Sequence, residues 1–400
     1  MPSGHQIDAA RRGLAVLLSM RGAAGKLAQL ADFVDPGWAP SADRAELDTH
    51  LAELRRGTPE PLGVKRVERL LRDAWGGKLS DHLVELEPEP AATASAGQVH
   101  RGELDDGRSV AIKVLHPGLE DALRADLGNL GLLVPLAGAV LPSLDARAIV
   151  AELRDRLLEE MDLEHEAQSQ RRFARTYRGH PFIHVSVPVT DLARTNVLVT
   201  EWVDGAAFGN VLELDASERD RYGEILARFH VGSAFHTGAF HADPHPGNHL
   251  LRPDGRVAFL DFGSVGFAAP AWLAGVLDVT DAAEARDGQQ LARLLADLGY
   301  LAQRDSVDVR DLLGSRRVAQ DFLLRHGRVP ARDLLAGRMI AGLGAVLAQL
   351  RATPDWSVLG QELRVEGEPA SELGEAEAAF WASRGHSRAY TVHGLRRARW

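Results

Sequence analysis

The sequence predicts an α+β protein of two lobes, a small β-rich one followed by a mainly helical one. Three observations lead there. Residues 83–115 alternate apolar and polar positions between turn signals, the period of half-buried strands. From Asp215 onward, apolar residues recur at helical spacing. Two short polar stretches, His241-Ala-Asp-Pro-His-Pro-Gly-Asn248 and Phe259-Leu-Asp-Phe-Gly263, break that helical pattern and gather carboxylate and amide side chains. The divisions fall at 1–80, a helical extension; 81–203, the β-rich lobe with a long helical insertion; 204–350, the helical lobe; and 351–400, a helical and basic tail.

The elements follow in order. Ile7, Leu14, Leu17, Leu18, Leu27, Leu30 and Phe33 fall near helical spacing, so residues 7–35 read as helical, and 42–56 as a second amphipathic helix. Lys26 and Gln29 share a helix face, which by itself reads as a solvated polar face. A short helix spans Val64 to Trp75 and stops at Gly76-Gly77. Ala91-Ala-Thr-Ala-Ser-Ala-Gly-Gln98 is a small-residue loop. Val99–Leu104 and Ser109–Leu115 read as strands joined by a hairpin at Asp105-Asp-Gly107. The uncharged run between Asp126 and Asp145 approaches the length of a membrane span, but Pro135, Pro142 and its glycines favour a buried helix or helix pair. Residues 146–175 read as one long charged helix, and 182–190 with 196–203 as an antiparallel strand pair leading to a hinge at Asp204-Gly205. Ser217–Thr237 is a helix, Pro253-Asp-Gly255 marks a hairpin, and 271–350 holds several helices.

Composition narrows the function. The 45% apolar and 26% charged content is that of a soluble globular protein, and the net charge of −10 argues against a nucleic-acid binder. The absence of cysteine removes disulfides, thiolate zinc sites and a Cys nucleophile together. No secretory signal is visible, and a cytoplasmic chain is expected. The tail from Arg384 to Trp400 has basic residues and no acidic ones, so it reads as a solvated tail, with peripheral contact to anionic lipid as the alternative.

The two polar stretches carry the chemistry. His241, His245 and His249 recur at zinc-ligand spacing, but Pro244 and Pro246 forbid the helix that would put them on one face. A tight loop aiming Asp243 and Asn248 into a cleft is the better reading. Phosphoryl transfer from a nucleotide needs a carboxylate at the acceptor hydroxyl, the place for Asp243. Asn248 and Asp261 supply the oxygens a hard cation such as Mg²⁺ requires. Lys113, mid-strand between apolar neighbours, needs an anionic partner and suits the α/β-phosphates of ATP or ADP. That partner would come from Glu159-Glu-Met-Asp-Leu-Glu-His-Glu166; the residues alone leave open which one. Backbone N–H groups of residues 92–98 would cover the phosphates, involving Ala92, Thr93, Ala94, Ser95, Ala96 and Gly97, with Val99 beside them. Glu201 C=O and Val203 N–H would meet the adenine edge.

With these motifs in this order, the chain resembles the UbiB/AarF-domain atypical protein kinase-like family from about residue 20 to 350. The stretches that carry it are ATASAGQVHRGELDDGRSVAIKVLHPGL, EEMDLEHEA and FHADPHPGNHLLRPDGRVAFLDFGSVG. The resemblance implies a bilobal protein-kinase-like fold. It matches the family's Ala-rich loop to Ala92-Thr-Ala-Ser95, its E-x-D to Glu160-Met-Asp162, and its following E-A to Glu166, which becomes the expected partner of Lys113. It matches K-x-G-Q to Lys26-Leu-Ala28-Gln29, on a helix that covers the cleft with its Lys near Glu160, and so replaces the solvated-face reading. Ala28 stands where the motif has Gly, and Thr93 interrupts the Ala run. The family's frequent C-terminal spans have no counterpart after residue 300.

The resemblance further implies Mg²⁺-dependent ATPase or small-molecule and lipid-directed kinase activity in isoprenoid quinone metabolism. Ala in the phosphate loop disfavours φ > 0 and holds the backbone farther from phosphate than Gly would. A covering helix would also occupy the space where a protein substrate docks. Two other functions fit part of the pattern. An aminoglycoside/choline-kinase type phosphotransferase shares the H-x-D-x-x-x-x-N loop but lacks the Lys26/Gln29 extension. A non-catalytic nucleotide-gated scaffold would keep the binding residues without turnover.

Overall fold

The computed structural model describes residues 60–93, 96–130, 161–301, 333–353, 355–362 and 368–385, with single positions at 147, 151, 154, 155, 158 and 330. The expected helices at 7–35 and 42–56 lie outside these residues, as do Lys26, Ala28, Gln29, Ala94, Ser95, Glu160, the uncharged run beyond Leu130 and the tail beyond Gly385.

The first lobe is a twisted antiparallel sheet with a helix on one face. Helix α1 (Val64–Trp75) puts Val67 and Leu71, one turn apart, against the sheet, and ends where Gly76 turns left-handed at φ 70° and donates its N–H to Arg72 O. Strands β1 (Leu83–Leu86), β2 (Ala92–Thr93), β3 (Gly97–Leu104), β4 (Ser109–Leu115) and a later strand, β6 (Val197–Glu201), form the sheet in the order β1-β3-β4-β6, with β2 on β3. The small-residue stretch is thus partly strand: Ala92 and Thr93 pair with Val99 and Gln98. Gly97 is required by crowding, since a Cβ there would lie 2.1 Å from Val114 O on the neighbouring strand. The Asp105-Asp-Gly107 turn joins β3 to β4, with Gly107 at φ 82°.

Strand alternation decides where Lys113 goes. Val110, Ile112 and Val114 face α1 in the core, so Lys113 emerges on the opposite face, mid-sheet between β3 and β6.

Helix α2 (Leu119–Leu130) follows. The single long helix expected over 146–175 is broken at Met161–Asp162, and helix α3 runs Leu163–Thr176. Asp162 causes the break: its carboxylate accepts from the N–H groups of Glu164 and His165, capping the new helix. Helix α3 spans both lobes. Leu163 and Ala167 pack on Leu198 of the first sheet, while Phe173, Ala174 and Tyr177 enter the core of the second lobe. Glu166 sits at the junction.

The expected antiparallel pair over 182–203 is only partly formed. Strand β5 (Ile183–Val185) turns to the second lobe and pairs in parallel with β9 (Val257–Phe259), leaving one antiparallel bridge, Pro188 to Thr200. The Val189 N–H to Val199 O and Glu201 N–H to Val187 O bonds flank this bridge, so Pro188 turns its N, which carries no hydrogen, away from Thr200. After β6 the chain crosses at Gly205, where a Cβ would meet Leu250 Cβ at 2.8 Å, and Ala206 bonds both ways to Leu251.

The second lobe is mainly helical. Helix α4 (Phe208–Val211) precedes α5 (Ala216–Ala227), which continues through a π-helical turn (Arg228–Gly232) into α6 (Ser233–Thr237). Strand β7 (Ala239–His241) pairs with β10 (Val265–Phe267), and β8 (His249–Leu251) joins β9. Helices α7 (Pro270–Glu284), α8 (Gly288–Asp297), α9 (Leu334–Leu350), α10 (Trp356–Glu362) and α11 (Glu372–Ser383) follow. Leu359, Leu373, Phe380 and Trp381 belong to the same buried cluster as Phe229 and Phe259, so α10 and α11 pack into this lobe. Among the described residues, no helix is long and apolar enough to cross a membrane.

Candidate active site

Lys113 reaches from β4 into the cleft and meets two carboxylates. Its Nζ lies 3.0 and 2.9 Å from the two oxygens of Glu166 and 2.8 Å from Asp261 Oδ2. Glu166 is almost wholly buried, and its Oε1 also accepts from the Phe262 N–H at 3.4 Å. Asp261 Oδ1 accepts from the Gly263 N–H at 3.0 Å. Burial disfavours the Lys113 ammonium, but Asp261 and Glu166 together outweigh that and raise its pKa above the ordinary lysine value. The two carboxylates then part. Burial opposes ionisation of Asp261, yet Lys113 overcomes it and holds Asp261 well below the usual range. Burial and the neighbouring Asp261 charge push Glu166 up to about 7.

His241 ties the two polar stretches together. Its Nδ1 accepts from the Asp243 N–H at 3.3 Å, so its Nε2 carries the proton and donates it to the Asp261 carbonyl. His230, from the π-helical turn, donates Nδ1–H to the His241 carbonyl at 3.0 Å. Asn248 Nδ2 donates to Asp243 O at 3.2 Å, and Leu260 N–H to Asn248 O at 3.0 Å. Asp243, Asn248 and Asp261 are therefore held in one place by contacts to one another's backbone, one of them made by the Asn248 side-chain nitrogen. The three histidines of the loop serve separate partners: His245 Nδ1 accepts from Gly247 N–H, and His249 Nδ1 meets Tyr222 OH at 2.6 Å.

The donor set suits a hard cation. Asp261 offers carboxylate oxygen, and Asn248 keeps its amide oxygen because the nitrogen is the group bonded to Asp243. Mg²⁺ is bound by one or two such oxygens with phosphates and water completing its shell.

The other expected residues fall around this centre. Ala96 is buried just before β3, Thr93 pairs with Gln98, and Val99 pairs with Ala92. Asp162 caps the helix that carries Glu166. Glu201 ends β6, and its N–H bonds Val187 O at 2.8 Å while its carboxylate meets His184 Nε2 at 3.3 Å. Val203, two residues on, is buried. One contact has no local sign in the sequence: Arg338 of α9 lies 3.1 Å from Asp243 Oδ2.

Buried histidines set a pH limit. Burial lowers His249 to about 4 and His180 to about 3, and takes His230 and His241 below the ordinary value. Their folded-state values lie under the unfolded value of about 6.5, so the unfolded chain gains protons first. The associated stability is full above about pH 6.5 and drains as pH falls, on the order of 3 kcal/mol from His249 alone by about pH 4. Thermal melts between pH 8 and 4.5 should show the loss, and His249→Gln should flatten it.

A central-strand lysine on a buried helix glutamate, set over a helical lobe that presents an Asp–Asn loop and an Asp-Phe-Gly, defines a bilobal kinase-like scaffold. Comparison with known proteins agrees. The model of the ABC1 atypical kinase-like domain matches residues 58–295. The Synechocystis sp. protein sll0005 is 34% identical over 58% of this chain and 35% of its own length. A probable protein kinase UbiB of Marinobacter nauticus is 29% identical over 78% of this chain and 58% of its own length. The chain thus spans about a third to somewhat over half of these relatives. A solved structure, the Rv3197–erythromycin complex from Mycobacterium tuberculosis, superposes with a TM-score of 0.61 at 30% identity, over 73% of this chain and 81% of that one. The chain belongs to the ABC1 atypical kinase-like family.

Proposed function

We propose that this chain is an ATP-binding, Mg²⁺-dependent kinase or ATPase of the UbiB type, acting on a small-molecule or lipid acceptor of isoprenoid or quinone metabolism, in the cytoplasm with peripheral membrane contact. The observation that carries it is the shared Lys113 ammonium, held between Glu166 and Asp261 beside the His241-anchored loop that bears Asp243 and Asn248. Lys113 stays protonated and is positioned for nucleotide phosphates. Asn248 and Asp261 would hold Mg²⁺, which when bound neutralises phosphate charge. Asp243 receives the proton of the acceptor hydroxyl as its oxygen bonds to the γ-phosphorus and the bond to the β-phosphate oxygen breaks, leaving ADP. His241 keeps the Asp243 and Asp261 backbones in register through a neutral ring.

The Ala-rich loop, whose side chains hold the backbone farther from phosphate than Gly would, supports an acceptor other than protein. The test is an ATPase assay with and without anionic liposomes and quinone-like phenols, on wild type and Asp243→Asn. Wild type should turn over ATP and respond to the lipid or phenol, and Asp243→Asn should lose about 10²-fold or more. A wild type that binds nucleotide without turnover, or an unimpaired Asp243→Asn, would reject the assignment.

A further inference from the structure

The loop from His241 to Asn248 contains no Lys or Arg. Its histidines do not supply a fixed charge beside Asp243: His241 is neutral and engaged, and His245 Nδ1 accepts from its own turn. Lys113 is committed on the other side of the site, between Glu166 and Asp261. Yet the Asp243 carboxylate has a cation 3.1 Å away, the guanidinium of Arg338, which is 13% exposed.

The helix that brings Arg338 is seated on this loop. Leu335, Ala336 and Met339 of α9 are buried with Phe240 and Ala242, the residues that lead into Asp243. One turn past Arg338, Gly342 lies so close that a Cβ would meet Pro244 Cγ at 2.8 Å. Arg338 and Gly342 therefore share the face of α9 that rests on Asp243-Pro244, and the ion pair is built on a packed contact rather than between two mobile surface chains. The contact engages Oδ2, and the carboxylate is about a quarter exposed.

The geometry points to Arg338 as a positioning residue for phosphoryl transfer, fixing one oxygen of Asp243 so that the other meets the acceptor hydroxyl. Arg338 acts through Asp243 and has this role only if the site transfers phosphoryl groups, so the assignment rests on the function proposed above. The proton passes from acceptor oxygen to Asp243 while Arg338 stays protonated throughout. A guanidinium is suited to this because its planar fork sets carboxylate orientation, which an ammonium does not. Misplacing a reacting group by about 1 Å can cost on the order of 10²-fold in rate.

The test uses the full chain and three variants, Arg338→Gln, Arg338→Lys and Arg338→Ala, with ATP turnover, nucleotide affinity and melting temperature measured on each. Arg338→Gln should lower kcat about 10- to 100-fold, less than loss of Asp243 itself, with KM for ATP and ADP affinity unchanged. Arg338→Lys should recover part of the loss. Millimolar guanidinium should restore turnover to Arg338→Ala and leave Asp243→Asn unaffected. A kcat unchanged in Arg338→Gln, or a loss matched by falling nucleotide affinity and not relieved by guanidinium, would overturn the role while leaving the phosphotransfer reading intact. Absence of turnover in wild type would overturn both.

Discussion

Arg228→Met is expected to destabilise the protein by about 3–5 kcal/mol at neutral pH, the cost of removing one partner from a buried ionic cluster. Arg228 lies at the start of the π-helical turn and is fully buried. Its Nε and Nη2 bond Glu224 at 2.8 and 2.7 Å, its Nη1 bonds Glu377 at 2.9 Å, and its Nη2 also reaches Glu362 and Ser371. Glu362 and Glu377 are themselves buried, so the variant leaves carboxylates in the core without their cation. Burial alone would raise Glu362, but Arg228 and the N–H groups of Ala370 and Ser371 hold it below the usual value. Glu362 thus adds stability above the unfolded value of about 4.5 that is lost on acidification, and this contribution is missing in the variant. The deficit against wild type should be full at pH 7 and shrink as the carboxylates protonate. Arg228→Lys should recover only part, since an ammonium cannot serve these acceptors with one planar fork. Denaturant melts at pH 7 and 4 measure both effects, and limited proteolysis should show cleavage between 351 and 371 first. Equal stability of Arg228→Met and wild type at pH 7 would refute the account of this cluster.

Asp261→Asn is expected to weaken binding of Mg²⁺–nucleotide by at least about 100-fold, because loss even of a residue supporting a metal ligand costs about 10- to 100-fold. Turnover should fall by about 10³-fold or more, the equivalent of several kcal/mol of charge stabilisation. The same change alters the nucleotide-free protein. In wild type, burial first and the Asp261 charge second push Glu166 up to about 7. A folded-state value above the unfolded one of about 4.5 means that the linked stability is full below about 4.5 and is lost as pH rises through about 7. Asn removes the neighbouring charge and leaves Lys113 to Glu166 alone, so Glu166 should return toward its ordinary value. The stability gained between pH 5 and 8 should therefore be larger in Asp261→Asn than in wild type, the contributions of His180, His230 and His249 being common to both. Calorimetric titration with Mg²⁺–ADP, with paired thermal melts, separates the two predictions. Undiminished Mg²⁺–ADP binding would remove Asp261 from the metal site.

How much of this was legible depends on distance along the chain. The helix at Val64–Trp75, the β3–β4 hairpin and the helical run ending at Thr237 are written in local period, caps and turn residues. The break at 161–162 and the departure of Ile183–Val185 to β9 were harder, because Asp162 is both a charged-face residue and a cap, and the partner of β5 lies about 70 residues away. The site divides in the same way. Lys113 announced itself as a charge in an apolar strand. Its partner did not: the acidic stretch before and within α3 offered several carboxylates, and it was the family resemblance that singled out Glu166.

The sequence by itself determined the two-lobe α+β class, the Asp–Asn loop and the Asp-Phe-Gly, because each rests on residues a few positions apart whose types constrain one another. Only the tertiary structure decided that Lys113 also holds Asp261, that Arg338 faces Asp243, and that Arg228 binds α10 and α11 into the second lobe. The physical reason is that an ion pair asks for opposite charges within a few ångströms and asks nothing of the chain between them. With 46 basic and 56 acidic side chains, pairings of suitable sign are abundant in the sequence. Packing of α3, α9 and α11 selects the few that occur.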